Sequence, residues 1–398
     1  MRILSFLKKN LTTVCFLLLI GVFFSQSLKP FAEGTQHFFQ DLQKGETVDF
    51  SRVDTYYNDN LPFKNELVTL NGGWQRLLGR RSVNDRYKLD NGQLTYVTPE
   101  ADVSEAAAKT VALAQAVKEQ NIPFVYVSTP FKIAPGDKQL PFGIEDYSNE
   151  NADRFLEILR QAGVATLDLR EAIAEDGLDH YSLFFNTDHH WKAEAGFWAA
   201  GKIQEYLEER EPELAVDDRT LDIAQYDQTV LEQVMLGSAG KRVGKLYGGM
   251  DDLTIITPKF DTSLEFLAPE QEMERRGNYA ETMLFPEQLE APPMTAFPYT
   301  VYTGGDYGLL QVRNLSREGK LEVQDNGKKL LVVKDSFSCV IIPFLSLGYE
   351  ECRYVDMRLF GQDLPAYIGQ YQPDAVLVIY NPGVFEAHNA NLFQFAKE

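Results

Sequence analysis

The chain has five histidines, and two of them are adjacent in TDHHW, residues 187–191. A serine nucleophile at neutral pH needs a general base, usually histidine, and an acid to orient that base. Asp188 and His190 are two residues apart, close enough for the carboxylate to reach the imidazole. Ser336 stands at the end of an apolar run in LLVVKDSFS. On a tight turn there, the backbone N–H groups of Ser336 and Phe337 can face a developing oxyanion. The chemistry these residues offer is acyl transfer through serine. Each also has a structural alternative, because aspartate near a helix start and serine after a strand are both common N-caps. A metal site built from Asp188, His189 and His190 lacks an HExxH motif and a third well-spaced ligand, so neither metal nor cofactor is expected. Asp251–Asp252 reads as a solvated acidic turn rather than a calcium site.

Other side chains are candidates for the walls of such a site. Trp191 can shield it from water, with His189 beside it. Asn381 follows the run DAVLVIY and is a candidate oxyanion donor. Gly304 and Gly305 can expose backbone N–H groups, and Lys132, Tyr302, Arg353 and Arg358 are candidates to line a sugar cleft. Cys339 reads as packing, since a reactive thiol needs an electropositive setting. Cys339 and Cys352 are the two cysteines outside the N-terminal segment, so no disulfide framework is available.

The elements that must position these groups follow from periodicity. Helical spacing covers residues 103–120, 151–162 and 192–209, with a short helix at 170–174. Apolar, β-rich runs occupy 123–128, 164–169, 329–333 and 374–380, with shorter candidates at 93–97 and 353–355. Alternation of strand and helix predicts an α/β fold, a mainly parallel sheet covered on both faces. Ligands in such sheets bind beyond the carboxyl ends of the strands. Asp188, Ser336 and Asn381 all follow apolar runs, which predicts one shared site. Residues 225–328, rich in glycine, proline and tyrosine, interrupt the rhythm and read as a loop-rich β excursion. The expected layout is a cytoplasmic tip and transmembrane signal anchor (1–28), a lead-in region (29–100), a first α/β half (101–224), the excursion, and a second half (329–398).

Arg2, Lys8 and Lys9 precede the run LTTVCFLLLIGVFF, and with the next few residues the segment approaches the ~20 residues that span a bilayer. Basic residues on its N-terminal side keep that end in the cytoplasm. The segment ends in SQS rather than a small-x-small cleavage site, so an uncleaved anchor in the cell membrane is expected, with the rest extracytoplasmic. Secretion after cleavage is the alternative. The formal net charge of −20 excludes a nucleic-acid partner, which needs a basic footprint. It also disfavours broad adhesion to anionic wall polymers, and a neutral or locally recognised glycan fits better.

TDHHW, together with LGSAGKRVGKLYGGMDD, ITPKFDT, YTGGDYG and VVKDSFS in that order, resembles the bacterial DHHW protein family. That family is similar to the SGNH-hydrolase-like domains of alginate and exopolysaccharide O-acetyltransferases. The resemblance spans roughly residues 54–385. It implies a three-layer SGNH-like fold in circularly permuted order, since Asp and His precede Ser. A D-x-H-W motif supplying acid and base matches Asp188, His190 and Trp191, and a G-T-S-F-S motif supplying the nucleophile matches residues 334–338. Lys334 and Asp335 stand where the relatives carry Gly-Thr. The resemblance also implies a polysaccharide substrate and a partner of the membrane-bound O-acyltransferase kind that brings acetyl groups across the membrane. An esterase with the same triad is one alternative, and a non-catalytic glycan-binding or assembly protein is another. The distance from Ser336 Oγ to His190 separates the catalytic readings from the binding one.

Overall fold

A computed structural model describes residues 10–43 and 60–397. Residues 1–9, the start of the segment expected to hold a cytoplasmic tip and anchor (1–28), and residues 44–59 of the expected lead-in region lie outside them. The apolar N-terminal run is helical and continues past the expected boundary at 28, as α1, Leu11–Gln43. Its first 23 residues, Leu11–Glu33, are long and apolar enough to cross a membrane, and their side chains are almost all exposed. A second helix, α2, Lys64–Leu77, leads to a small antiparallel sheet of β1 (Ser82–Val83), β2 (Arg86–Lys88) and β3 (Leu94–Thr95).

The α/β rhythm then follows the hydrophobic pattern closely. Helix α3 is Ser104–Lys118, β4 is Phe124–Ser128, α4 is Ser148–Gln161, β5 is Ala165–Asp168, α5 is Leu169–Glu175 and α6 is Ala193–Arg210. In the excursion lie β6 (Tyr226–Met235), α7 (Ser238–Val243), α8 (Lys245–Gly248), β7 (Asp251–Pro258), β8 (Leu264–Ala268), β9 (Met273–Gly277), α9 (Tyr279–Met283) and β10 (Leu309–Asn314). The closing part holds β11 (Lys329–Lys334), α10 (Ile342–Leu345), β12 (Glu351–Val355), α11 (Leu364–Tyr371) and β13 (Ala375–Tyr380).

Eight strands form one sheet in the order β5-β4-β13-β11-β12-β10-β8-β9. The first five are parallel to one another, and β10, β8 and β9 pair antiparallel at one edge. The central strands β11 and β13 are buried along nearly their whole length, which explains their unbroken apolar runs. Their side chains alternate between two cores. Leu330, Val332, Leu377 and Ile379 enter the core shared with α6, and Leu331, Val333, Val376 and Val378 enter the core shared with α3, α4 and α11. The protein is therefore an α/β fold with a mostly parallel central sheet, the architecture that the resemblance implies.

The excursion is more integrated than its composition suggests. Besides the ribbon of β6 and β7, it supplies β8, β9 and β10, which complete the edge of the central sheet. Those strands are short and each is buried differently, so no single period marks them in the sequence.

Candidate active site

Asp188, His190 and Ser336 converge on one chain of hydrogen bonds. Asp188 Oδ1 lies 2.7 Å from His190 Nδ1, and His190 Nε2 lies 2.8 Å from Ser336 Oγ. Asp188 Oδ1 also accepts the His190 backbone N–H at 2.9 Å, and Oδ2 accepts the Ser238 N–H at 2.5 Å. Burial alone would raise the Asp188 carboxyl. His190, by charge and hydrogen bonding, outweighs that and holds it well below the usual carboxylate range. The His190 ring is stacked on Tyr299, with centroids 4.0 Å apart.

Asp188 does not cap α6 and does not follow a regular strand. It sits in a tight loop closed by a bridge between Phe184 and Trp191. Two buried charges hold that loop. Lys132 Nζ donates to the carbonyls of Phe185, Asn186 and Asp188 at 2.6, 3.0 and 2.6 Å. Burial pushes the Lys132 ammonium down to about 7, against the pull of Asp251 and Asp188. Asp251 accepts the N–H groups of Asn186 and Thr187 at 2.6 and 2.7 Å, and the Thr187 hydroxyl at 2.5 Å. Asp251 is thus a buried anchor rather than a solvated turn. Gly237 lies so close that a Cβ there would stand 2.3 Å from Asp188 Cβ. Gly237, the first residue of GSAG (237–240), therefore lets α7 approach closely enough for the Ser238 N–H to bond the carboxylate.

Ser336 opens a 3-10 turn, Ser336–Val340, directly after β11. The cap of that turn is Asp335 rather than Ser336. Asp335 Oδ1 accepts the Phe337 N–H at 2.9 Å, and Oδ2 accepts the Asn381 N–H at 2.6 Å. Burial raises its carboxyl to about 6, against these two bonds. The Phe337 N–H, expected to face an oxyanion, is occupied by this bond. The Ser336 N–H is at the first position of the turn, where no intrahelical acceptor exists. Trp191 Nε1 donates to the Phe337 carbonyl at 2.8 Å, and the Tyr299 hydroxyl bonds the Ser336 and Phe337 carbonyls at 3.0 and 3.1 Å. Trp191 is fully buried beneath the turn, so it supports Ser336 from behind. Lys334, also buried, is paired with Asp306 and lies 3.7 Å from Asp356 Oδ2, and Arg358 bridges the same two carboxylates. Burial would lower Lys334, but Asp306 foremost holds it above the usual lysine range.

Ser336 opens onto a cavity of about 690 Å³, whose walls include Arg86, Tyr96, His189, Ser238, Arg242 and Arg358. His189 Nδ1 lies 2.9 Å from Ser238 Oγ, and burial, then His190, push its ring down to about 3, so it is neutral at physiological pH. Asn381 lines the cavity, but Nδ2 donates to the Pro130 carbonyl and Oδ1 accepts the Gly383 N–H, both at 2.8 Å. Five other expected residues, Lys132, Tyr302, Arg353, Gly304 and Gly305, do not line it. Lys132 is buried under the loop. Tyr302 is buried in the core, its hydroxyl accepting the Ile256 N–H and donating to the Thr254 carbonyl. Arg353, on β12, bonds Glu351 and the Tyr367 hydroxyl and lies over Tyr371. Gly304 gives its N–H to the Thr300 carbonyl, and with Gly305 it shapes the turn that carries Asp306. The potential metal donors of Asp188, His189 and His190 lie within 4.8 Å of one another, but they bond each other, Ser238 and Ser336. Sequence reading missed Ser238 and Tyr299 and took Asp251 for a solvated turn, because their partners lie from 37 to 109 residues away in the chain.

Residues 90–249 match the family described as the SGNH hydrolase-like domain of acetyltransferase AlgX. That span contains Asp188 and His190 and ends before Ser336. No curated protein matches the sequence. Among solved structures, Bacillus cereus PatB1 is similar at a TM-score of 0.64 and 22% identity, over 78% of this chain and 99% of that one. The same protein with a sulfonyl adduct gives 0.63 and 22%, over 79% and 100%. A DHHW family protein from Eubacterium siraeum gives 0.60 and 18%, over 79% and 96%. Residues 90–249 thus match the SGNH hydrolase-like domain family of acetyltransferase AlgX, and the chain has the fold seen in a DHHW family protein.

Proposed function

We propose that this protein is an extracytoplasmic acyltransferase that moves acetyl to a hydroxyl of a cell-surface or secreted polysaccharide through an acetyl-serine at Ser336. One observation carries the reading: a single imidazole bonds Asp188 on one nitrogen and Ser336 on the other, at 2.7 and 2.8 Å. His190 Nε2 takes the hydroxyl proton as Ser336 Oγ attacks the acetyl carbonyl carbon. The oxyanion accepts the Ser336 N–H, a preorganised donor. Collapse breaks the donor's ester bond, and His190 returns the proton to the departing alcohol. A glycan hydroxyl then attacks acetyl-Ser336, gives its proton to His190, and leaves acetylated as Ser336 recovers its proton. Asp188 keeps the imidazole in the tautomer these steps need.

Water in place of the glycan makes the same site an acetylesterase. The apolar helix α1 supports an anchor, and a membrane-bound O-acyltransferase is the proposed acetyl source. A disabled, purely glycan-binding site has no need of the short Ser336–His190 distance.

The test is turnover of a small acetyl ester by the purified chain, with and without oligosaccharide acceptors. Loss of on the order of 10³-fold in both Ser336→Ala and His190→Ala is expected. Acetylated acceptor decides for transferase, and release to water alone decides for esterase. PatB1 is recorded with a sulfonyl adduct, which suggests a sulfonyl reagent as the probe here. Wild-type protein that neither turns over ester nor is labelled at Ser336 points to the binding role.

A further inference from the structure

Helix α2 presents an apolar stripe with nothing described against it. Phe63, Leu67, Leu70, Trp74 and Leu77 recur at alternating spacings of four and three, so they share one face of the helix. That face points outward: Leu70 is 64% exposed, Trp74 60% and Leu77 80%. The opposite face is fixed to the protein. A Cβ at Gly72 would stand 1.8 Å from the Val243 carbonyl oxygen, and one at Gly244 would stand 2.4 Å from Thr69 Cα. The helix is therefore docked on α7 and α8 by its small residues, with its largest apolar side chains left in solvent. A contiguous exposed patch of this kind marks an interaction surface.

We propose that this stripe lies in the headgroup region of the membrane that α1 crosses, with anionic lipid as its partner. Three observations select a lipid surface. The stripe begins only twenty residues after α1 ends, on the first described helix beyond the proposed span. The chain carries a net charge of −20, yet residues 63–80 hold Lys64, Arg76 and Arg80 against a single acid, Glu66, while the next residue, Arg81, is committed to Asp90. Basic residues beside a face of Trp, Phe and Leu are the composition of interfacial helices. Trp74 and Phe63 also belong to the types that favour the membrane–water interface. The docking has a consequence for the cleft. Ser238 at the start of α7 holds Asp188, so a membrane-bound α2 would fix the proposed triad next to the bilayer.

The test uses the full chain in vesicles of phosphatidylethanolamine and phosphatidylglycerol, with Cys15→Ser to remove the exposed thiol. A nitroxide is placed at Leu70→Cys, at Leu18→Cys in α1, and at Glu157→Cys on the exposed side of α4. Relaxation by oxygen, which partitions into lipid, is compared with relaxation by an aqueous nickel chelate. The oxygen-to-nickel ratio at position 70 is expected to exceed that at 157 by at least about threefold, and to fall when phosphatidylcholine replaces phosphatidylglycerol. A ratio at 70 equal to that at 157 overturns the proposal. So does shielding from both reagents, which would place a second copy or a protein partner on the stripe. An aqueous reading at position 18 also overturns it, because the tether it rests on is then absent. Acetyl-ester turnover by the same vesicles reports on the triad alone, so failure of the proposed reaction is read separately.

Discussion

Lys132 Nζ lies 2.6 Å from the backbone carbonyl oxygen of Asp188, so a buried lysine donor holds the peptide that carries the proposed orienting carboxylate. The same ammonium serves the carbonyls of Phe185 and Asn186, and Asp251 serves the N–H groups on the loop's other side. Geometry at the base is thus set by groups that never enter the cleft.

Lys132→Met keeps much of the side chain's volume and removes all three donors. Buried carbonyls without partners cost about 1–3 kcal/mol each, less where the loop relaxes toward water. A loss of roughly 3–5 kcal/mol in unfolding free energy is expected by denaturant titration. Misplacement of the triad by about 1 Å is enough to lower kcat on the order of 100-fold. KM for a small ester should change little. A variant that unfolds more easily but keeps wild-type kcat would remove Lys132 from any positioning role.

Asp335 gives a pH-dependent prediction. Its folded carboxyl titrates near 6, against about 3.9 in an unfolded chain. Between those values the folded state holds the extra proton, so this group's contribution to stability falls as pH rises from about 4 to 6. The span corresponds to roughly 2–3 kcal/mol. Asp335→Asn does not titrate, so the difference in unfolding free energy between wild type and variant should change across that window and be flat from pH 7 to 8. The amide also sets an N–H₂ group against a backbone donor of Asn381 or Phe337, so the serine turn should loosen and turnover fall. A difference that does not vary between pH 4 and 6 would contradict the burial-raised carboxyl.

Much of the parallel half of the fold was legible in the sequence, because buried central strands and amphipathic helices leave unbroken or periodic apolar patterns. Asp188, His190 and Ser336 were legible as residue types at suggestive spacings, and the structure brings them within hydrogen-bond reach. The supporting residues were not. Lys132 and Tyr302 bond backbone groups of distant residues, and Arg353 is taken up by Glu351 and Tyr367, so residue type alone suggested a sugar cleft. Asp251 looked solvated because its neighbours in sequence are polar, whereas its partners are Asn186 and Thr187. Strands β8 to β10 were obscured by the glycine- and proline-rich loops between them.

Gly237 tests how closely α7 must approach. A methyl group there would stand 2.3 Å from Asp188 Cβ and 2.5 Å from its Oδ2, far inside van der Waals contact. Gly237→Ala must push either α7 or the loop of Asp188 aside. Overpacking of this kind costs about 1–3 kcal/mol. The Ser238 N–H would leave Asp188 Oδ2 at the same time. Turnover should fall more steeply than for Ser238→Ala, which keeps the backbone N–H in place. Equal activities for the two variants would show that the close approach contributes no more to turnover than the Ser238 hydroxyl.

Lys334, in place of the glycine that the relatives' motif carries, bears on whether its cluster supports or disables the serine turn. It is buried between Asp306 and Asp356, with Arg358 completing the group at the edge of the cleft. Breaking a buried pair by removing one partner costs about 3–5 kcal/mol, because the remaining charge is left in low dielectric. Lys334→Met should therefore destabilise the protein by roughly that amount and lower turnover through the adjoining turn. Pairing it with Asp306→Asn removes one of the stranded carboxylates. The double variant should then be more stable than the sum of the single losses implies, with a coupling of about 1–3 kcal/mol by denaturant titration. If the double variant also regains turnover over Lys334→Met, the cluster acts on catalysis through the geometry of Ser336. Recovered stability without recovered turnover would mean that the lysine's charge itself contributes to the reaction.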